Sequence, residues 1–374
     1  MTMNTITKYC AGIRSRCSGG SVSRRLLRQL KQPALHRSAA TPIIVLPLLF
    51  ISILSTGNAA EKPARIKLAT LAPKGSSPYQ VLQTMDEQWQ KATGGAVKLV
   101  IYADGTQGSE GETVKRMRIG QLQASLISGL GLSDIDESVT CLQTMPLVFR
   151  SLAELDYVQT KMAPMLEKRL AEKGFVVLFW TDGGWIHYFS RQAAVHPDDL
   201  KKFRIFCSAG DNNLLALMKD LGYQGVPLET GDILPSLKTG MIDALACPPF
   251  FALAGQFYSP ATHMVDVHWA PLLGALVVTK KSWDAFAPET QQALRAAALE
   301  AGTKVRALAR QENLDAIEAM KKRGLTVHTP SPEQLAAWER LAESAQRSIR
   351  GKMVPADLFD EVRRLVAEYR ASKP

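Results

Sequence analysis

The first sixty residues contain no aspartate and no glutamate, and that absence relocates the charge of the whole chain. Lys8, Arg14, Arg16, Arg24, Arg25, Arg28, Lys31 and Arg37 lie there unopposed. The net charge of +10 over 374 residues resembles a nucleic-acid signal. Beyond residue 60, however, 37 basic residues face 35 acidic ones, so the surplus belongs to the leader and a basic binding face loses its main support. Cysteine is scarce as well. Cys10 and Cys17 fall in the leader, and Cys141, Cys207 and Cys247 remain. An odd number allows at most one internal bridge, with three pairings open. Buried free thiols acting as small hydrophobes are the simpler expectation.

Several chemistries are missing too. His187, His196, His263, His268 and His328 form no i, i+4 pair and have no cysteine at metal-site spacing, so no metal ligand is expected among them. Gln107-Gly108-Ser109-Glu110-Gly111 lacks the glycine that a nucleophile elbow needs at its first position. No phosphate loop or dinucleotide fingerprint follows a strand. An enzyme, a hydrolase for instance, therefore has no constellation behind it, and no cofactor is expected.

Long apolar runs are also lacking. The longest, Ile43 to Leu54, is too short for a bilayer core of about 30 Å. It follows a basic region and precedes Ser55-Thr56-Gly57-Asn58-Ala59-Ala60, the layout of a cleaved secretory signal over residues 1–60. An N-terminal anchor is the competing reading, weakened by Pro47 and the small-residue tail. The basic region is long for a signal, which leaves open a true start downstream of Met1 or Met3. The mature chain is expected to be soluble and exported.

What is present after Pro63 is an alternation of strand-like and helix-like segments, the pattern of parallel α/β construction. Strands are expected at 66–70, 97–102, 124–128 and 176–180. A second set follows at 204–207, 224–227 and 242–245, and a return strand at 276–279. Helices are expected at 78–91, 112–120, 213–221 and 232–238. From Glu289 the apolar residues Leu294, Ala298, Ala301, Val305 and Leu308 recur at three- and four-residue spacing. That pattern predicts one long helix to about Arg323, with Gly302 its weak point. Two further helices follow, after Pro332 and over 355–369. With 46% hydrophobic residues the chain can fill two cores, so two lobes with a crossing helix and a cleft between them are expected. The expected lobes are 64–184 with 274–325, and 185–273 with 326–374.

Four segments carry a resemblance. The first is Thr93-Gly94-Gly95-Ala96-Val97-Lys98-Leu99 with Gly105-Thr106-Gln107-Gly108-Ser109-Glu110, and the second is Met117-Arg118-Ile119-Gly120-Gln121-Leu122-Gln123-Ala124. The third is Met145-Pro146-Leu147-Val148-Phe149-Arg150-Ser151. The last runs from Pro197-Asp198-Asp199-Leu200-Lys201-Lys202-Phe203-Arg204-Ile205-Phe206 to Gly240-Met241-Ile242-Asp243-Ala244. Together, in this order, they resemble the solute receptors of TRAP (tripartite ATP-independent periplasmic) transporters. The resemblance implies a two-lobed, type II-like periplasmic binding protein that closes on a small organic solute. It further implies delivery to membrane permease subunits driven by an ion gradient, and no catalysis. A receptor for another importer or for a sensor shares the same fold.

The chain departs from that family at three places. The arginine that clamps the ligand carboxylate falls on Phe206, an upstream arginine on Ile186, and an asparagine on Cys247. Arg204 shares the face of Phe206 but sits at the wrong height. A phenyl ring does not replace a bidentate guanidinium. The expected site is therefore an unusually apolar cleft floored by Trp185, Phe206 and Trp269. Cys207, Ser208, Gly210, Asp211, Cys247 and Gln107 complete it, and the ligand is expected to be an organic acid or a solute with apolar surface. The loops Gly105–Ser109 and Ser208–Asp211 are equally explained by ordinary turn and N-cap chemistry.

Overall fold

A computed structural model describes residues 64–373, so the leader and its apolar run lie outside the described residues. The strands are β1 (Ala64–Thr70), β2 (Val97–Tyr102), β3 (Ala124–Ser128), β4 (Phe175–Ser190), β5 (Arg204–Ser208), β6 (Gln224–Leu228), β7 (Ala244–Cys247), β8 (His263–Thr279) and β9 (Thr326–His328). The helices are α1 (Ser77–Ala92), α2 (Glu110–Arg118), α3 (Gly129–Ile135), α4 (Cys141–Thr144), α5 (Leu152–Glu172) and α6 (Asn212–Asp220). After them come α7 (Ile233–Thr239), α8 (Pro249–Ala254), α9 (Lys280–Trp283), α10 (Pro288–Lys321), α11 (Pro332–Ile349) and α12 (Ala356–Ser372).

One sheet in the order β2-β1-β3-β8-β4-β7-β5-β6 carries both halves, with β9 paired to β8. β1, β2 and β3 are mutually parallel, as are β5, β6 and β7. Between these sets β4 and β8 run antiparallel to each other and to their outer neighbours. The sheet is therefore mixed, where the alternation of segments predicts a parallel one. The segments 176–180 and 276–279 read as short strands. They are parts of a 16-residue and a 17-residue strand that pass through both halves.

Gly183-Gly184 hides this continuity because two glycines in a row read as a breaker. Here they mark a register shift between Asp182 and Trp185. Gly184 has φ +80°, and a Cβ on it would lie 2.8 Å from Nδ2 of Asn313 on α10. That amide donates to the Gly183 carbonyl at 2.7 Å, so the glycine pair is a point of close helix approach.

Each half has its own apolar interior. In the first, one face of the sheet is covered by α1 and the front of α10, burying Leu82, Met85, Trp89, Leu294 and Val305. The other face carries α5 and α12, with Leu155, Val158, Leu358 and Val362 buried against Phe175 and Val177. In the second half Phe189, Ile233, Leu245 and Met264 pack with Ala316 and Met320 from the far end of α10. That helix thus crosses from one half to the other. The expected boundaries at 184/185 and 273/274 both fall inside single strands. The end of the chain departs from its assignment to the second lobe, because α12 packs on the first-half core. Arg370 Nε also donates to Glu154 of α5 at 2.8 Å. Helix α5 lies outside the expected helices, although Leu155, Val158, Met162, Leu166 and Leu170 are buried along it at helical spacing.

The crossing helix is pinned beside the glycine pair. Arg310 donates to Asp182 of β4 at 2.8 and 3.2 Å and to Asp156 of α5 at 2.7 and 2.9 Å. Arg306 reaches Gln159 and the Trp180 carbonyl, each at 3.0 Å. The Asp182 side chain is 0% exposed, so its charge depends on these guanidinium groups.

Gly302 has a packing reason in the same helix. A Cβ there would lie 2.5 Å from Cβ and Cγ of Phe179 on β4. Gly302→Ala gains about 1 kcal/mol of helix propensity but overpacks a tight contact, at a cost of roughly 1–3 kcal/mol. The net expectation is a lower Tm by a few degrees in thermal unfolding followed by circular dichroism. A Tm equal to or above that of the parent would show that α10 stands off the sheet.

Candidate functional site

The strand registers point to one place. β3 ends at Ser128, opposite Gly274 of β8, and Gly274 pairs with Thr181 of β4. From the other half, β7 ends at Cys247, opposite His187 of β4. The carboxyl ends of both parallel sets therefore converge on the middle of the β4–β8 ribbon, residues 182–187 and the facing stretch of β8. Loops beyond strand carboxyl ends expose unpaired N–H groups, which makes such convergence points the usual ligand sites of α/β sheets.

The ribbon is irregular there. Ile186 pairs with Ala270 and Tyr188 with Val265, so β8 spends four residues, Asp266–Trp269, where β4 spends one, His187. A bulge of this kind re-aims side chains. It brings His268 onto Trp185, stacked at 5.0 Å between centroids and 4° between planes. His187 meets His268 edge-on at 5.5 Å and 84°. Asp266 Oδ1 lies 3.6 Å from His187 Nδ1 and 3.8 Å from His268 Nε2. His187 is 3% exposed, and its buried Nδ1 has no hydrogen-bond partner among the described residues. Burial pulls the His187 imidazole down to about 4, against the opposing pull of Asp266. It is therefore neutral at pH 7.

The expected site residues divide among several environments. Trp185 sits on the ribbon, half-buried. Phe206 and Cys247 come together in the second-half interior, where Phe206 packs against a cluster that includes Cys247. Trp269 is not brought to Trp185. It lies edge-on to Tyr188 at 5.8 Å and to Trp338 at 5.6 Å, an aromatic group that joins α11 to the sheet. Cys207 is buried, with its thiol 3.7 Å from the Asp211 carbonyl. Ser208 ends β5, and Gly210 turns the chain with φ +91°. Asp211 caps α6, its carboxylate accepting from Leu214 N at 3.0 Å. Gln107 accepts from Arg116 at 3.4 Å and lines a shallow depression with Thr70, Leu71, Gly105 and Ser125. Arg204 is no substitute clamp. It is at the amino end of β5 and is held by Asp243 in a two-point contact of 2.9 and 3.0 Å.

The three cysteines are free and buried. Burial pushes the Cys141 and Cys207 thiols up to about 12, and raises Cys247 still further above its ordinary value. These thiols are expected to resist a maleimide at pH 8 until denaturant unfolds the chain. Rapid labelling of Cys207 in the native protein would mean that the end of β5 is open.

Residues 68–351 match the family model described as bacterial extracellular solute-binding protein, family 7. The chain belongs to that family. Among relatives of this solute-binding protein is the 2,3-diketo-L-gulonate-binding periplasmic protein of Escherichia coli. It is 26% identical over 283 residues, which cover 75% of this chain and 84% of the relative. The C4-dicarboxylate-binding periplasmic protein of Rhodobacter capsulatus is 25% identical over 300 residues, 78% of this chain and 88% of the relative. In fold, the family 7 protein is similar to a TRAP periplasmic solute-binding protein from Pseudomonas putida F1 with bound D-glucuronate. That likeness has a TM-score of 0.69 at 24% identity, over 80% of this chain and 96% of the other. The architecture is thus the two-lobed α/β fold of these receptors, a long helix crossing both lobes, and the chain is a solute-binding protein.

His187, Asp266 and His268 do not stand out as a group in the sequence. Histidines 81 positions apart give no local spacing, and only the register of β4 against β8 joins them.

Proposed function

We propose that this protein captures a small organic acid over the middle of the β4–β8 ribbon and passes it to the membrane subunits of a TRAP-type importer, without chemical turnover. The observation that carries this reading is the convergence of both sets of strand ends on Trp185. With one indole face covered by His268, the exposed part of Trp185 is left to meet the apolar C–H side of a sugar ring, while polar groups at the ribbon edge orient its carboxylate. The relatives support the solute class, since one is named for a sugar acid and another for C4-dicarboxylates. Export to the periplasm is supported by the same family and by the basic, apolar and small-residue order of the leader. Phe206 stands at the family's clamp position and Cys247 at its asparagine; Cys247 is buried and Phe206 packs against the same apolar cluster, which favours a ring-bearing acid over a small dicarboxylate that needs two cationic anchors.

A thermal-shift screen tests this. Hexuronic, aldonic and C4-dicarboxylic acids and neutral aromatics would be compared at millimolar concentration. At least one sugar acid is expected to raise Tm by several degrees through mass action. A folded protein that none of them stabilises contradicts the reading.

A further inference from the structure

Three groups on the ribbon point at one another without bonding. His187 Nδ1, Asp266 Oδ1 and His268 Nε2 all lie within 4.8 Å of one another. The separations of 3.6 and 3.8 Å from the carboxylate oxygen are too long for hydrogen bonds. They are close to the spacing of about 3.4 Å between neighbouring ligands of a tetrahedral ion with bonds of about 2.1 Å. The buried His187 Nδ1 has no hydrogen-bond partner among the described residues, which is costly unless something binds it. Asp266 and His268 are about half exposed, so the opposite side of the group is open.

We propose that His187, Asp266 and His268 hold a divalent transition-metal ion of the zinc class, whose remaining coordination position takes the carboxylate of the bound acid. Two imidazoles and one carboxylate form a donor set suited to such ions, and three protein ligands leave a place for a further oxygen. The stacking of His268 on Trp185 puts that place beside the indole. A metal there supplies the positive charge that Phe206 and Ile186 do not. The role assigned to the ion rests on the receptor reading above, whereas the ion site itself does not.

The whole protein, stripped with a chelator, would be titrated with zinc chloride by calorimetry and with cobalt(II) by visible absorption. D-glucuronate would then be titrated into the zinc-loaded and stripped forms. The expected result is one ion per chain at micromolar affinity or tighter, weakened at least tenfold in Asp266→Asn and in His268→Gln. Both substitutions are at partly exposed positions and spare the buried His187. His328→Gln is expected to leave zinc binding unchanged, although His328 Nε2 lies 2.9 Å from His263 Nδ1. Glucuronate is expected to bind at least tenfold more tightly with zinc present. No stoichiometric zinc, or equal zinc affinity in both variants, overturns the ion site. Equal glucuronate affinity with and without zinc overturns its role while leaving the receptor reading intact. Zinc binding at these residues with no affinity for any acid removes the receptor reading and, with it, the role of the ion.

Discussion

Replacing Arg310 with alanine is expected to destabilise the protein by about 3–5 kcal/mol, the usual cost of leaving one partner of a buried ion pair alone. Asp182 is the reason. Its side chain is fully buried, and without Arg310 its nearest cation is Arg306, whose Nε lies 3.6 Å away. In the same variant Asp156 loses two contacts that join α5 to α10. For a chain of this size the loss corresponds to a Tm lower by roughly 5–8 °C. Urea unfolding followed by circular dichroism measures it directly. Arg310→Lys keeps the charge without the planar fork and is expected to recover part of the loss. A cost under about 1 kcal/mol for Arg310→Ala would mean that water reaches Asp182 and that the crossing helix is not anchored there.

The second large effect concerns binding. Trp185→Ala is expected to weaken the best acid found by screening 10- to 100-fold, with little change in Tm without ligand. Removing an aromatic wall from a ligand site forfeits about 1.5–3 kcal/mol, and each factor of ten is about 1.4 kcal/mol. Little of the fold depends on this side chain, which is half-buried and at the margin of a core cluster. Trp269→Phe is the matched control, since Trp269 packs with Tyr188 and Trp338. It is expected to lower Tm and leave affinity within a factor of about three. Isothermal titration of both variants separates the two roles, and equal losses of affinity would merge them.

Much of this architecture is legible in the sequence because its signals are local. The periodicity of Leu294, Ala298, Ala301 and Val305 gives α10, and Ser109 and Asp211 mark helix starts where side-chain oxygens accept from the first turn. The strands that alternate with helices are likewise visible. What escapes is what depends on pairing between distant segments. Gly183-Gly184 reads as a break until Asn313 and Arg310 of α10 are seen against it. Trp269 and Trp185 are equally eligible aromatics in the sequence. The bulge in β8 sends one of them into an aromatic core and brings His268 to the other. The histidine pair with Asp266 exists only because β4 and β8 are neighbours. Phe206 and Cys247 are legible as departures from a family pattern. That they meet in one apolar interior is a fact of the fold.

A crystal structure of the protein with its tightest acid would be the most direct test. The solute is expected over the β4–β8 ribbon, its ring in van der Waals contact with Trp185 and its carboxylate directed, through the bound ion, at His187, Asp266 and His268. A solute seated elsewhere, such as the groove of Asn212, Leu215, Lys219 and Tyr223 beside α6, would contradict it.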